Sequence, residues 1–365
     1  MSASDDIAVE AAAASPPREW WRFVSRLVLV LSPLLVAGAG LEALAWRIGE
    51  TMPMALVSRW QDAEPGRIWR GGDGHSYLTY KLARVRDLRP DIVALGPSRA
   101  NAFRGAPLAP YSFYNAGLTA WTFDQYRRFL ELAGEDGYAP RALIFNLDYW
   151  MFSAGFDHYW VNRFDEQPST HVADLLRVGS ELRDEPARLW RRLPTAGEAH
   201  GLFAVLTGDG FAADGAMVAP PPTADPQRLA GDGTGVGVPP VVLSDDIATE
   251  QTVSFMRFAA FAKEKRVALI GVQLPYYARI LDGLDSSPDA GIWRAFRSAA
   301  FRQRIAEAGV IFFDFADVPE YRDRPEYFTD SLDPDASAVA ALTRRIAADP
   351  RVRAVLPQLA SPGGR

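Results

Sequence analysis

The sequence predicts an α/β fold of three layers, a mostly parallel five-stranded sheet with helices on both faces, preceded by an apolar N-terminal segment and carrying a large insertion after the third strand. Three observations predict it. Short apolar runs of strand length alternate with stretches whose apolar residues recur at helical spacing, the pattern of a βαβ fold. The run Ile92 to Leu95 is apolar throughout and is ended by Gly96 and Pro97, as a buried strand would be. Finally, 365 residues with 48% hydrophobic and 12% aromatic content can bury a large core, in one domain with an insertion or in two domains.

In chain order, Leu27 to Ala45 comes first, 19 residues with one charge, Glu42. Such a stretch is long enough to cross a bilayer core of roughly 30 Å at about 1.5 Å per residue. Arg18, Arg22 and Arg26 stand before it, so the positive-inside rule makes 1–26 a cytoplasmic tail and 27–46 a transmembrane anchor, and sends the rest outside. Trp20, Trp21 and Trp46 suit the two interfaces. Ala43-Leu44-Ala45 also has the form of a signal-peptidase site, a competing reading that exports the same globular part. A leading segment, 47–89, joins the anchor to an α/β domain at 90–350, and 351–365 form a tail.

Within the domain, strands are expected at Ile92 to Leu95, Ser112 to Tyr114, Ala142 to Leu147, Val267 to Gln273 and Val310 to Phe315. Helices are expected at Phe123 to Leu132, Thr249 to Lys265, Ile292 to Ala308 and Ala336 to Ala347. Residues 150–245 interrupt the alternation and read as the insertion. It opens with the aromatic residues Tyr149, Trp150, Phe152, Phe156, Tyr159, Trp160 and Phe164, which either form a lid or glycan platform or pack the insertion's own small core. A helix from Val172 toward Leu193 follows, and then Gly208 to Pro240, whose seven glycines and six prolines suit an irregular surface loop.

Composition excludes several functions. With 39 basic against 45 acidic residues, the chain lacks the cationic excess that nucleic-acid phosphates demand. No cysteine is present, so disulfides, thiolate nucleophiles and cysteine metal sites are excluded. The four histidines, at 75, 158, 171 and 200, form no metal-ligand cluster, and no glycine-rich phosphate loop supports a nucleotide-binding flavodoxin-like domain. No cofactor is expected.

In a parallel sheet, functional residues gather at the carboxyl ends of strands, where Ser98, Gly117, Asp148, Pro275 and Asp330 fall. Gly96-Pro97-Ser98 places a serine at a strand-to-helix corner, its hydroxyl near the positive end of the following helix. Ser98 is therefore the leading nucleophile candidate; alternatively it is an N-cap for the amides of Ala100 or Asn101.

Four blocks, in order, carry a resemblance: Gly96-Pro-Ser98-Arg99, Tyr114-Asn-Ala-Gly117, Asn146-Leu-Asp148-Tyr-Trp150 and Phe328-Thr-Asp-Ser-Leu-Asp-Pro334. They resemble the blocks of the SGNH/GDSL hydrolase family over about Pro90 to Ala348, the insertion excluded. More narrowly, the chain is similar to the membrane-anchored SGNH-like proteins associated with bacterial cell-surface polysaccharide O-acylation. That resemblance implies an SGNH/flavodoxin-like fold, a single-pass protein of the bacterial inner membrane with a periplasmic domain, and esterase or O-acyltransferase activity on acyl esters of polysaccharide. A membrane-bound O-acyltransferase is the implied partner.

Residue by residue, Ser98 matches the family's nucleophile and Gly117 the glycine whose amide helps form the oxyanion hole. The family's third donor is an asparagine side chain; Asp148 stands at that place, and Asn146, two residues earlier on the same face, is the alternative. The family's Asp-x-x-His is replaced by Asp330-Ser-Leu-Asp333, which puts a carboxylate at the base position. Burial or the charge of Asp330 would have to raise its pKa for it to accept a serine proton. His75 and His158, each beside an aspartate, are alternative bases. The rival expectation is a catalytically degenerate SGNH-fold subunit that binds glycan or a membrane acyltransferase.

Overall fold

The computed structural model describes residues 18–64, 66–72, 77–157, 169–193, 197–219, 246–287, 290–330 and 332–359. Nine strands are found among them, numbered in chain order: β1 Ile68–Trp69, β2 Ile92–Leu95, β3 Phe113–Asn115, β4 Ala142–Asn146, β5 Ala199–His200, β6 Gly210–Phe211, β7 Met217–Val218, β8 Ala268–Gln273 and β9 Val310–Asp314. Five of these build an all-parallel sheet in the order β3-β2-β4-β8-β9. All five chains of this sheet therefore end at one edge.

The apolar runs become strands because both faces are covered. Alternate residues feed two apolar clusters: Val93, Leu95, Leu143, Phe145 and Leu269 join one, and Ile92, Ala94, Ile144, Ile270 and Val272 the other. Helix Phe123–Ala133 starts at a capping box in which Thr122 and Gln125 satisfy each other's backbone amides, and it buries Phe123, Tyr126, Phe129 and Leu130. Helix Thr249–Glu264 packs against it, and Ala336–Ala348 covers the opposite cluster.

Two expected helices are divided. Residues 292–308 form Gly291–Arg297 and Ala299–Glu307, because Ser298 caps the second segment by accepting from the amide of Phe301. Residues 172–193 form His171–Asp184 and Pro186–Arg192, because proline at the first helical position starts a new helix and ends its predecessor.

The aromatic residues at the head of the insertion belong to the main core, not to a core of their own. Phe152 meets Phe123, Phe255, Phe296 and Phe301, and Tyr149 and Phe156 are buried in the same cluster. Tyr159, Trp160 and Phe164 lie outside the described residues. The expectation of irregular chain from Gly208 is corrected at its start: β6 and β7 pair as an antiparallel hairpin, with Gly215 at φ +77° in the connection and Phe211 buried. The remainder of that tract, from residue 220, is outside the described residues.

A second sheet, in the order β5-β1-β6-β7, joins the leading segment to the insertion. Beside it stands helix Arg18–Arg47, whose apolar stretch is exposed and is long enough to cross a membrane. Its last turns are covered: Ala45 and Ile48 cluster with Val178, Leu189, Leu202, Val205 and Leu206 from the insertion.

Candidate functional site

At the carboxyl edge of the five-stranded sheet, the chain leaves β2 through Gly96 at φ +155°. A side chain there would meet Ala100 Cβ and Asn146 Cβ, each at 2.8 Å, so only glycine permits the turn. Ser98 follows, exposed, as the first residue of a short 3₁₀ turn, Ser98–Ala102. No α-helix follows it, so the expected helix dipole is reduced to one turn. Nor is Ser98 the cap: that place belongs to Pro97, whose carbonyl accepts from the amide of Ala100 at 3.0 Å.

The neighbouring Arg99 is buried and ties the edge together. Its Nε lies 3.0 Å from Asp148 Oδ2, its Nη2 donates to the carbonyls of Leu274 (2.6 Å) and Pro275 (3.1 Å), and its Nη1 donates to the carbonyl of Leu332. The guanidinium stacks 4.1 Å above the Tyr276 ring. Burial opposes the guanidinium charge, but Asp148, Tyr276, Asp333 and Asp330 hold its pKa above the ordinary value.

Asp148 is fully buried and saturated. Beyond the ion pair it accepts from Tyr276 Oη at 2.8 Å and from Asn146 Nδ2 at 2.7 Å. Burial pushes its carboxyl upward, and Arg99, Asn146 and Tyr276 pull it back. The net direction stays upward, and both its oxygens already face these donors. Asn146 is occupied on its amide nitrogen by Asp148, while its Oδ1 is buried with no partner among the described residues.

Gly117 stands beside the 3₁₀ turn, where a side chain would come within 2.8 Å of Asn101 Oδ1 and 2.9 Å of Asn115 Oδ1. Its N–H donates to Asn115 Oδ1 at 2.7 Å and is thus committed within the strand end. Asn115 Nδ2 in turn donates to the carbonyls of Ala100 (2.8 Å) and Phe103 (3.0 Å), fastening the serine turn to β3. From the other side the buried Lys81 Nζ donates to Gly117 O at 2.6 Å and lies 3.9 Å from the centre of the Phe211 ring; burial pushes its pKa well below the ordinary value.

The acidic pair closes the site. Asp330 Oδ1 accepts from the amides of Leu332 (2.8 Å) and Asp333 (2.7 Å), a turn that fixes the direction of Asp333. The Asp333 carboxyl is pushed up to about 7, first by burial and then by the charge of Asp330, while Arg99 and the Ser98 hydroxyl pull it down. Asp333 Oδ1 is buried with no well-aligned hydrogen-bond partner among the described residues. Asp333 and Ser98 thus interact without a finished hydrogen bond, a looseness common where a catalytic pair tightens only around substrate.

The edge thus brings together Ser98, Asp330, Asp333, Gly117, Asn146 and Asp148, from segments far apart in the chain. The two histidines among the described residues, His171 and His200, lie elsewhere. His200 stacks on Trp60 at 3.8 Å, and His171 Nε2 lies 2.8 Å from Glu42 of helix Arg18–Arg47. His75 and His158 are outside the described residues. Among the described residues no group of three His, Asp or Glu side chains could hold a metal ion.

Sequence reasoning passed over Asn101, Asn115 and Lys81. The first was legible in part: residues three apart eclipse on a 3₁₀ turn, so Asn101 shares the face of Ser98. Its Oδ1 is buried with no partner among the described residues. Compared with known protein families, curated proteins and solved structures, the chain matches none.

Proposed function

We propose that the chain is a membrane-tethered, extracytoplasmic SGNH-like serine esterase or O-acyltransferase acting on acyl esters of cell-surface polysaccharide, its sheet the middle of three layers. The observation that carries this reading is the meeting of an exposed serine with an aspartate whose pKa is pushed up to about 7. A carboxylate of ordinary pKa is too weak a base for a hydroxyl, whereas one titrating near neutrality can both take and return a proton.

In this mechanism Ser98 Oγ attacks the acyl carbonyl and its proton passes to the Asp333 carboxylate. The tetrahedral oxyanion is held by the Ser98 amide and by the amide of Asn101, once its side chain turns toward it. Collapse expels the sugar oxygen, which takes the proton from Asp333 and leaves an acyl-Ser98 ester. Water, or a hydroxyl of an acceptor glycan, then attacks that ester and gives its proton to Asp333; Ser98 departs and recovers the proton. Arg99 is a positioning residue, holding the Leu332 carbonyl and hence the Asp333 turn. The apolar helix, long enough to cross a membrane, and the arginines at its start support the membrane placement, with the amino terminus inside and the domain in the periplasm of a bacterial inner membrane.

One observation favours the second reading, a noncatalytic subunit that binds glycan or a membrane O-acyltransferase: the Gly117 amide is already engaged. A fluorophosphonate probe separates the two. A catalytic Ser98 gains the adduct, located by peptide mass, at pH 8 and loses it in Asp333→Asn. A wild type that stays unlabelled and leaves small acyl esters intact supports the binding subunit.

A further inference from the structure

The apolar anchor does not stand free of the globular part. Its last turns pack against helices His171–Asp184 and Pro186–Arg192 through Ala45, Ile48, Val178 and Leu189, and Glu42 meets His171 at 2.8 Å. We propose that these two insertion helices lie in the plane of the membrane surface, as a footing whose apolar face enters the headgroup boundary of the bilayer that the anchor crosses. The proposal rests on the reading of Arg18–Arg47 as a membrane-crossing helix.

The packing gives the footing its direction. A Cβ on Gly179 would lie 3.5 Å from Leu41 Cδ2, and Leu41 is one turn deeper in the apolar stretch than Ala45. The helix face that carries Gly179 therefore looks along the anchor toward the bilayer. At about 100° per residue, Val172, Leu176 and Arg183 share that face within an arc of about 60°.

The composition of the face fits a lipid surface. Val172 is 64% exposed, Leu176 68% and Trp190 58%, comparable with the anchor's Leu34 at 68% and Val36 at 72%. The apolar surface of the anchor thus turns outward onto the insertion at the level where the anchor leaves the membrane. The same two helices carry Arg183 and Arg188, paired with Asp184 and Glu185, and Arg191 and Arg192 near their end, cations suited to phosphate headgroups, and tryptophan is the side chain most at home at that depth.

Because the chain has no cysteine, single cysteines introduced at Leu176, Val30 and Glu264 can each carry an environment-sensitive fluorophore in the full-length protein. The protein is reconstituted into phosphatidylcholine–phosphatidylglycerol vesicles, with and without bromine on the acyl chains. Brominated lipid should quench the probes of Leu176→Cys and Val30→Cys and leave that of Glu264→Cys bright. If Val30 is quenched and Leu176 stays in water, the footing is wrong and the anchor stands. A Leu176 probe that is shielded from water yet unquenched by bromine overturns the proposal in favour of a protein partner. An unquenched Val30 probe removes the anchor and the footing together.

Discussion

Asp333 carries two opposing demands, and they can be measured apart. Its carboxyl is pushed up to about 7 by burial and by Asp330, against about 3.9 in an unfolded chain. As the base it must be ionised, so kcat/KM on a small acyl ester should rise with pH through a midpoint near 7 and then level; a flat profile between pH 5 and 8 excludes it. Stability runs the other way. A raised carboxyl pKa favours the folded state below about pH 4, and that contribution is lost as pH rises through 7. Asp333→Asn should therefore unfold at higher urea concentration than the wild type at pH 8, by on the order of 1 kcal/mol, with the difference closing below pH 4, while its esterase activity falls. Asp333→His should raise activity at neutral pH, and Ser98→Ala should remove that gain. An inert histidine variant argues against a cleft otherwise ready for catalysis.

At the scale of elements, the corner after β2 is tied by the buried Arg99 guanidinium to the ends of β4 and β8 and to the Asp330–Asp333 turn. Arg99→Met leaves Asp148 charged, buried and uncompensated, which costs about 3–5 kcal/mol. Adding Asp148→Asn should recover much of that loss in urea denaturation; two additive penalties would show that the ion pair is not what Arg99 supplies. Four of the five parallel strands were legible because largely apolar runs of four to six residues between glycine, proline and polar punctuation have few alternatives in a βαβ alternation, while β3 has only three residues. The two-residue strands of the second sheet were not legible, since no periodicity can be read from two residues and their pairing is tertiary. The break at Pro186 was there to be read. In the site, Ser98 announced itself by its corner, and Asp333 entered only through resemblance to a family pattern. Asn115 and Lys81 were silent, because what they do is hydrogen-bond to segments that only the fold brings near.

Over the whole molecule, the insertion and the α/β domain meet at a tight point. Gly215 sits at φ +77°, and a Cβ there would fall 2.1 Å from the Asn115 carbonyl and 2.7 Å from the Tyr114 ring. Gly215→Val should undock the β6–β7 hairpin from β3 and cost about 3 kcal/mol, with new protease cleavage between 208 and 219; an unchanged digestion pattern would show that the junction yields. The proposed orientation is tested by fusing alkaline phosphatase after Arg365, which should be active in a bacterial host if the three arginines keep the other end inside. Activity confined to a cytoplasmic reporter reverses the topology.

The pairing of Ile68 with Ala199 also sets an order of events. On the proposed topology, β1 is the first strand to follow the anchor out, yet it has no neighbour until β5 and β6 have followed, by which time β2, β3 and β4 can already have assembled. The entropy of closing so long a loop grows only slowly with its length, so the delay burdens the rate of folding more than the final stability. If helix Arg18–Arg47 anchors the chain as proposed, the segment that follows it is the first to emerge and among the last to be completed, and in that interval Trp69, buried in the finished fold, stands without its partners.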